Sequence, residues 1–247
     1  MKETVKSKLK SMRLNGLLSA FEAQDSDTSY HDMSFSSRFE LLIEAEYLRR
    51  DSNRLKRRYS ESGLEYNSSI SEVDFREERK LDKAKILELT EFGWVNNYND
   101  LIITGLTGSG KSFLASAIGD AGIKKSLKVK YFKVYDLIQE FRIEIKNNSS
   151  YLGLIKKLKS FDILIFDEWL RDNFDIEESR FILDLIDSRY REKSNIFVSQ
   201  LPTDTWHGRL GEPTIADAIM DRIIHDSIKI QMKGESMRKL TAKIVGK

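Results

Sequence analysis

The sequence predicts an α/β fold in which helices cover both faces of a parallel sheet, preceded by a small all-helical segment. Three observations carry this. The apolar run Leu101-Ile102-Ile103-Thr104 leads directly into Gly105-Leu106-Thr107-Gly108-Ser109-Gly110-Lys111-Ser112, a strand feeding a loop of the G-x-x-x-x-G-K-[ST] form. The run Phe161-Asp162-Ile163-Leu164-Ile165-Phe166 ends in Asp167 and Glu168, and a near-continuous apolar stretch is how a strand buried on both faces reads. From Phe75 onward such runs alternate with helix-forming stretches, the pattern of a parallel sheet built from strand–helix units.

The elements follow in order. Residues 1–60 hold no Pro and no strand-like run. Val5, Leu9, Met12, Leu17 and Phe21 fall near helical spacing and predict a helix over 3–24. Asp25 to Asp32 is a polar connector. Ser34 is placed to cap a second helix running through Phe35, Phe39, Leu42 and Ile43 toward Tyr59. Glu61 to Asp74 is polar and expected to be irregular. A helix is expected near 80–92 and strands near 101–104, 128–134, 161–166, 195–199 and 227–232, with helices between them. The expected organisation is a helical domain over 1–60, a connector over 61–79 and an α/β domain over 80–247.

The loop pattern has a chemical reason. Backbone N–H groups must curl around phosphate oxygens, and side chains at Gly105, Gly108 and Gly110 would obstruct that approach. Lys111 brings a positive charge to the β- and γ-phosphates, and the Ser112 hydroxyl can coordinate Mg²⁺. The helix that begins near Lys111 and continues through Phe113 aims its positive dipole end at the same anion. Asp167, at the carboxyl end of its strand, can hold the Mg²⁺ directly or through water. Glu168 can orient and deprotonate the water that attacks the γ-phosphate. The Asp-x-x-Gly and Asn-Lys-x-Asp patterns of GTPases and the Leu-Ser-Gly-Gly-Gln of transporter ATPases do not occur, so ATP is the expected nucleotide. Asn195 to Gln200 is another apolar strand with a polar end, which would bring Ser199 or Gln200 near the γ-phosphate. Arg222 sits on an amphipathic stretch and Arg238 just past the last expected strand. Arginine suits the charge that develops in phosphoryl transfer.

Composition narrows the partners. The 247 residues contain no Cys, which excludes disulfides and thiolate metal sites, and three His without zinc-ligand spacing. No apolar secretory signal opens the chain and no stretch approaches the ~18 apolar residues of a membrane span, so a cytoplasmic protein is expected. Net charge is only +2, so nucleic-acid affinity must come from local patches. One such patch is Arg49, Arg50, Arg54, Lys56, Arg57 and Arg58, six positive charges against the single Asp51. Lys6, Lys8, Lys10 and Arg13 add to it. A positive strip on helices suits the phosphates of duplex DNA, with little base readout. Trp94, Trp169 and Trp206 read as packing residues.

Taken together, GLTGSGKS at 105–112, ILIFDEW at 163–169, VSQLPTDTWH at 198–207, GEPTIADAIMDRIIH at 211–225 and KGESMRK at 233–239 resemble the IstB family of AAA+ transposition helper ATPases, relatives of the DnaC helicase loader. The likeness spans nearly the whole chain. It implies an AAA+ P-loop core, from which this sequence departs in one respect: only 233–247 follows the last expected strand, too little for a full helical lid, so little or no lid is expected. It implies Walker A and B roles for Lys111, Ser112, Asp167 and Glu168, and a first sensor at Ser199 or Gln200. Arg222 would be an arginine finger given to a neighbouring subunit, and Arg238 a second sensor. It further implies homo-oligomers with ATP and Mg²⁺ at subunit interfaces, on duplex DNA, assisting a cognate transposase. A loader of a replicative helicase is the alternative function. A non-enzymatic nucleotide-gated scaffold would tolerate loss of Glu168, which this chain retains.

Overall fold

Five strands pair into one parallel sheet: β1 (Leu101–Gly105), β2 (Val129–Lys133), β3 (Ile163–Asp167), β4 (Ser194–Ser199) and β5 (Ile228–Met232). Their spatial order is β2-β3-β4-β1-β5, with every neighbouring pair parallel. Each strand falls within two residues of its expected span. The computed structural model describes residues 2–64, 68–76, 79–147 and 150–234.

Alternation along the central strands explains why β1, β3 and β4 carry apolar side chains on both faces. Ile102, Leu164, Phe166 and Phe197 join one buried cluster, to which helices α7 (Val134–Lys146), α8 (Leu152–Lys159), α9 (Ile176–Arg189) and α10 (Pro213–Ile224) contribute Phe141, Leu158, Phe181 and Ile219. Ile165 and Val129 instead meet Gly119 of α6 (Lys111–Lys124) on the opposite face. Full burial of each such side chain is worth about 1.5–3 kcal/mol. Trp169 and Trp206 are almost fully enclosed in an aromatic group with Phe166, Phe174 and Phe197, and Trp94 is also buried.

The chain divides into two compact units, residues 1–58 and 59–247. In the first, the single helix expected over 3–24 is two, α1 (Lys2–Ser11) and α2 (Asn15–Ser26). Arg13 breaks the run with a left-handed backbone, φ 59°, which periodicity alone does not reveal. α2 then packs closely on α3 (Phe35–Ser62). A Cβ at Gly16 would lie 2.6 Å from the Ala45 carbonyl oxygen, so only glycine fits there. Buried Glu46 of α3 accepts hydrogen bonds from Gly16 N–H at 2.7 Å and Leu17 N–H at 3.2 Å, capping α2 from a neighbouring helix. The Ser34 hydroxyl accepts from Ser37 N–H at 3.1 Å, as its capping position suggests. Phe35, Phe39 and Ile43 of α3 are exposed.

In the second unit, the helix expected near 80–92 is the shorter α4 (Lys83–Leu89), followed by the single turn α5 (Gly93–Asn96). The stretch after α3 is less irregular than expected. Leu64 is buried against α6, and Ser69 and Glu72 form a reciprocal cap on a short 3₁₀ turn, Ile70–Glu72.

At the amino ends of the strands, Asp100 accepts hydrogen bonds from Asn195 N–H at 2.7 Å and Asn195 Nδ2 at 3.0 Å. Fully enclosed Arg189 donates to the Leu158, Phe161 and Ser194 carbonyls and to Asn195 Oδ1. Burial pushes the Asp100 carboxyl up to about 7, against the Asn195 bonds and the Arg189 charge that favour the carboxylate. The folded state thus holds the proton more tightly than the unfolded chain. The stability this confers is complete below the ordinary carboxyl pKa, and it is lost as pH rises through about 7. Asp100→Asn keeps an acceptor for Asn195 and cannot ionise. Denaturation at pH 5 and pH 8 should show the wild type losing more stability than the variant, by a few kcal/mol.

Candidate nucleotide site

The phosphate loop leaves the carboxyl end of β1 and enters α6, as an anion site at a helix amino terminus requires. Gly105, Gly108 and Gly110 have φ of 154°, 80° and 90°, a region that side-chain-bearing residues rarely adopt. A Cβ at Gly105 would lie 2.5 Å from the Met232 carbonyl oxygen. Lys111 is buried and folds back to donate to the Leu106 carbonyl at 2.9 Å. Burial lowers its pKa, and the nearby Asp167 charge opposes that shift. The Ser109 hydroxyl is buried with no hydrogen-bond partner among the described residues, a donor that a phosphate oxygen would satisfy.

β3 delivers the second half of the site. The Ser112 hydroxyl donates to Asp167 Oδ1 at 3.1 Å, so two oxygen groups suited to Mg²⁺ meet across 55 residues of sequence. Tyr131 of β2 donates to Asp167 Oδ2 at 2.5 Å. Glu168 is adjacent in sequence. Its backbone is left-handed, φ 56°, and its carboxylate pairs with Arg171. Its N–H donates to Asp167 Oδ1 at 2.9 Å.

The polar end of β4 separates the two sensor candidates. Ser199 Oγ donates to the Trp169 carbonyl at 2.8 Å and accepts from Leu201 N–H at 3.1 Å. It is buried, and both contacts are to backbone groups. Gln200 reaches the phosphate loop, its Oε1 accepting from the Thr107 hydroxyl at 2.6 Å. Beside the loop is a cavity lined by Val73, Arg79, Gly110, Phe113, Leu114 and Met232. Arg79 closes it, donating to the Ser109 carbonyl and, at 3.3 Å, to Asp74. Bonds from Arg76 outweigh partial burial and hold the Asp74 carboxyl down at about 2.

Arg222 lies at the opposite, amino-terminal end of the strands. It shares a cavity with Asp100, Tyr190 and Asn195, pairs with Asp187, and donates to the Ala218 carbonyl at 2.8 Å. The strands' amino ends, not their carboxyl ends, line that cavity, so Arg222 does not share a pocket with its own chain's Lys111. Arg238 lies outside the described residues.

Among the basic residues of the helical unit, Lys8, Lys10, Arg13, Arg54, Lys56 and Arg57 are exposed. Others also make contacts within the unit. Lys6 pairs with Glu22 at 3.2 Å, and Arg50 and Arg49 approach Glu46 at 2.7 and 3.9 Å. Those pairs remove part of the charge that the sequence suggests for 49–58.

Sequence reasoning named the loop and the Asp-Glu pair, but not Tyr131, Arg79 or Arg171. Tyr131 had a latent signal, since it stands two residues before the end of the strand beside β3. Arg79 and Arg171 carried none, because their contacts depend on loop geometry.

Comparison with known proteins gives the family and the fold. The model of the family described as IstB-like ATP binding protein matches residues 7–244. An insertion-sequence ATP-binding protein of Sinorhizobium fredii is 32% identical over 232 residues, 94% of each chain. AMPPCP-bound DnaA from Aquifex aeolicus shares the fold at a TM-score of 0.61 and 19% identity, over 75% of this chain and 56% of that one. The DnaC helicase loader does so at 0.55 and 17%, over 68% and 98%. With its phosphate loop, the Asp167 strand end and a match covering both units, the chain belongs to the family of IstB-like ATP-binding proteins and has an AAA+ P-loop core.

Proposed function

We propose that this protein is an ATPase that assembles on duplex DNA with ATP between subunits and helps a transposase engage its target. The observation that carries the ATPase reading is the Ser112–Asp167 contact at 3.1 Å beside the glycine loop. That contact joins the two halves of a nucleotide–Mg²⁺ site. In this reading, the loop N–H groups and Lys111 cradle the phosphates, and the Ser109 hydroxyl gains its missing partner. Val73, Phe113 and Met232 offer the base an apolar cover. Bound Mg²⁺, held by Ser112 and Asp167, would screen the phosphate charge. Glu168 takes the proton from the attacking water, and Gln200 orients that water. Arg222, remote from its own loop, serves a neighbour's ATP. Phosphoryl transfer asks the protein mainly for positioning and charge stabilisation, and these residue types supply both.

The DNA part of the reading rests on the exposed cations of α1 and α3. Replacing Arg54, Lys56, Arg57 and Arg58 together with Ala should weaken duplex binding across unrelated sequences. It should also flatten the dependence of log K on log salt by ~0.9 for each phosphate that is no longer neutralised. Fluorescence anisotropy across a salt series checks this. Unchanged affinity and slope would return the segment to an ordinary solvated helix surface. The reading that names a transposase rests on the relatives described as insertion-sequence proteins. Co-purification with the transposase of the same insertion sequence tests it.

A further inference from the structure

The phenol of Tyr131 meets the carboxylate that stands beside the glycine loop, and strand geometry explains how. Side chains alternate between the two faces of a strand. Val129 and Ile165 both lie against Gly119 of α6, so Tyr131 and Asp167, each two residues further along its strand, share that face. The parallel register pairs Tyr131 with Ile165 and Lys133 with Asp167. Tyr131 therefore stands diagonally behind Asp167 on the neighbouring strand. A phenol is long enough to cross that diagonal, and its hydroxyl donates to Asp167 Oδ2 at 2.5 Å. The other carboxylate oxygen has different partners. Oδ1 accepts from the Ser112 hydroxyl at 3.1 Å and from Glu168 N–H at 2.9 Å. Asp167 is only 3% exposed, so these protein donors set its orientation.

We propose that Tyr131 is a positioning residue for the Mg²⁺ site, holding the plane of the Asp167 carboxylate so that Oδ1 stays on Ser112. The torsion that turns a carboxylate about its stem is broad, so the rotamer of Asp167 does not fix that plane by itself. Turning Oδ2 away from Tyr131 would leave a buried oxygen without its donor, which is costly. Mg²⁺ demands near-ideal octahedral geometry, and a carboxylate free to turn meets that demand less often. The neutrality of the phenol matters as well. A lysine or arginine in its place would satisfy Oδ2 but would set a cation beside the metal, where like charges repel. Tyr131 acts through Asp167 and needs no contact with the nucleotide. The inference rests on Ser112 and Asp167 holding Mg²⁺, and the experiment separates the two.

The experiment follows binding of a fluorescent, non-hydrolysable ATP analogue to the full chain, in EDTA and across a Mg²⁺ titration. It compares wild type, Tyr131→Phe, Asp167→Asn and the Tyr131→Phe/Asp167→Asn double variant. Tyr131→Phe removes only the hydroxyl and should leave affinity in EDTA unchanged. It should raise the Mg²⁺ concentration at the midpoint of the titration by about 10–100-fold, the usual effect of losing an outer partner of a metal ligand. Asp167→Asn should already weaken the Mg²⁺ response, and adding Tyr131→Phe should then change it little. An unchanged midpoint in Tyr131→Phe overturns the proposal. So does an equal shift in the Asp167→Asn background, because Tyr131 would not be acting through Asp167. Affinity lost in EDTA as well would make Tyr131 a support of the fold and also overturn it. Mg²⁺-independent binding by the wild type, or a wild-type Mg²⁺ response in Asp167→Asn, would instead reject the Mg²⁺ site itself.

Discussion

Glu168→Gln is expected to leave ATP bound and nearly stop its hydrolysis. The substitution keeps the size of the side chain and spares Ser112, Asp167 and the glycine loop, so the binding half of the site is intact. It removes the group that accepts the water's proton, a contribution on the order of 10²–10⁴ in rate. Long-lived ATP-bound assemblies on DNA should accumulate, visible by gel filtration, while phosphate release falls. Near-normal turnover would take the base role away from Glu168.

Larger still is the effect expected at the subunit boundary. Arg222 shares its cavity with residues at the amino ends of the strands, whereas the loop is at their carboxyl ends. If Arg222 acts on ATP, it acts on a neighbour's. An arginine supplied in this way contributes on the order of 10³–10⁵ in rate. Arg222→Ala alone should therefore be nearly inactive, and so should Lys111→Ala, which lacks productive nucleotide binding. Mixed on DNA, the two form some interfaces that pair an intact loop with an intact arginine, and part of the ATPase activity should return. Confirmed mixed assemblies with activity at background would reject the trans role, as would substantial activity from Arg222→Ala alone.

The parts of the fold that were legible in the sequence are those written in local pattern. β3 reads as apolar from Ile163 to Phe166 because Phe166 and Ile165 face different layers of helices. The phosphate loop is legible because glycine and lysine chemistry is fixed by the ligand it takes. The break at Arg13 was not legible, since a left-handed arginine leaves the apolar spacing of α1 and α2 nearly continuous. Nor could the sequence choose between Ser199 and Gln200. Their contacts differ because of where β4 ends: the last strand residue turns its hydroxyl to the Trp169 carbonyl, and the next residue reaches Thr107. The stretch around Val73 and Arg79 reads as a polar connector, yet it walls the cavity beside Gly110. These contacts join residues far apart in the chain, and no short window records them.

The measurement that tests the account most directly is sedimentation of the full chain on duplex DNA with Mg²⁺ and either ATP, a non-hydrolysable ATP analogue or ADP. ATP bound between subunits should produce large protein–DNA species with the analogue, species that decay as hydrolysis proceeds with ATP, and none with ADP. Lys111→Ala on its own should form none under any of these conditions. Identical species with ATP, ADP and no nucleotide would contradict the account, because assembly would then owe nothing to the phosphate loop.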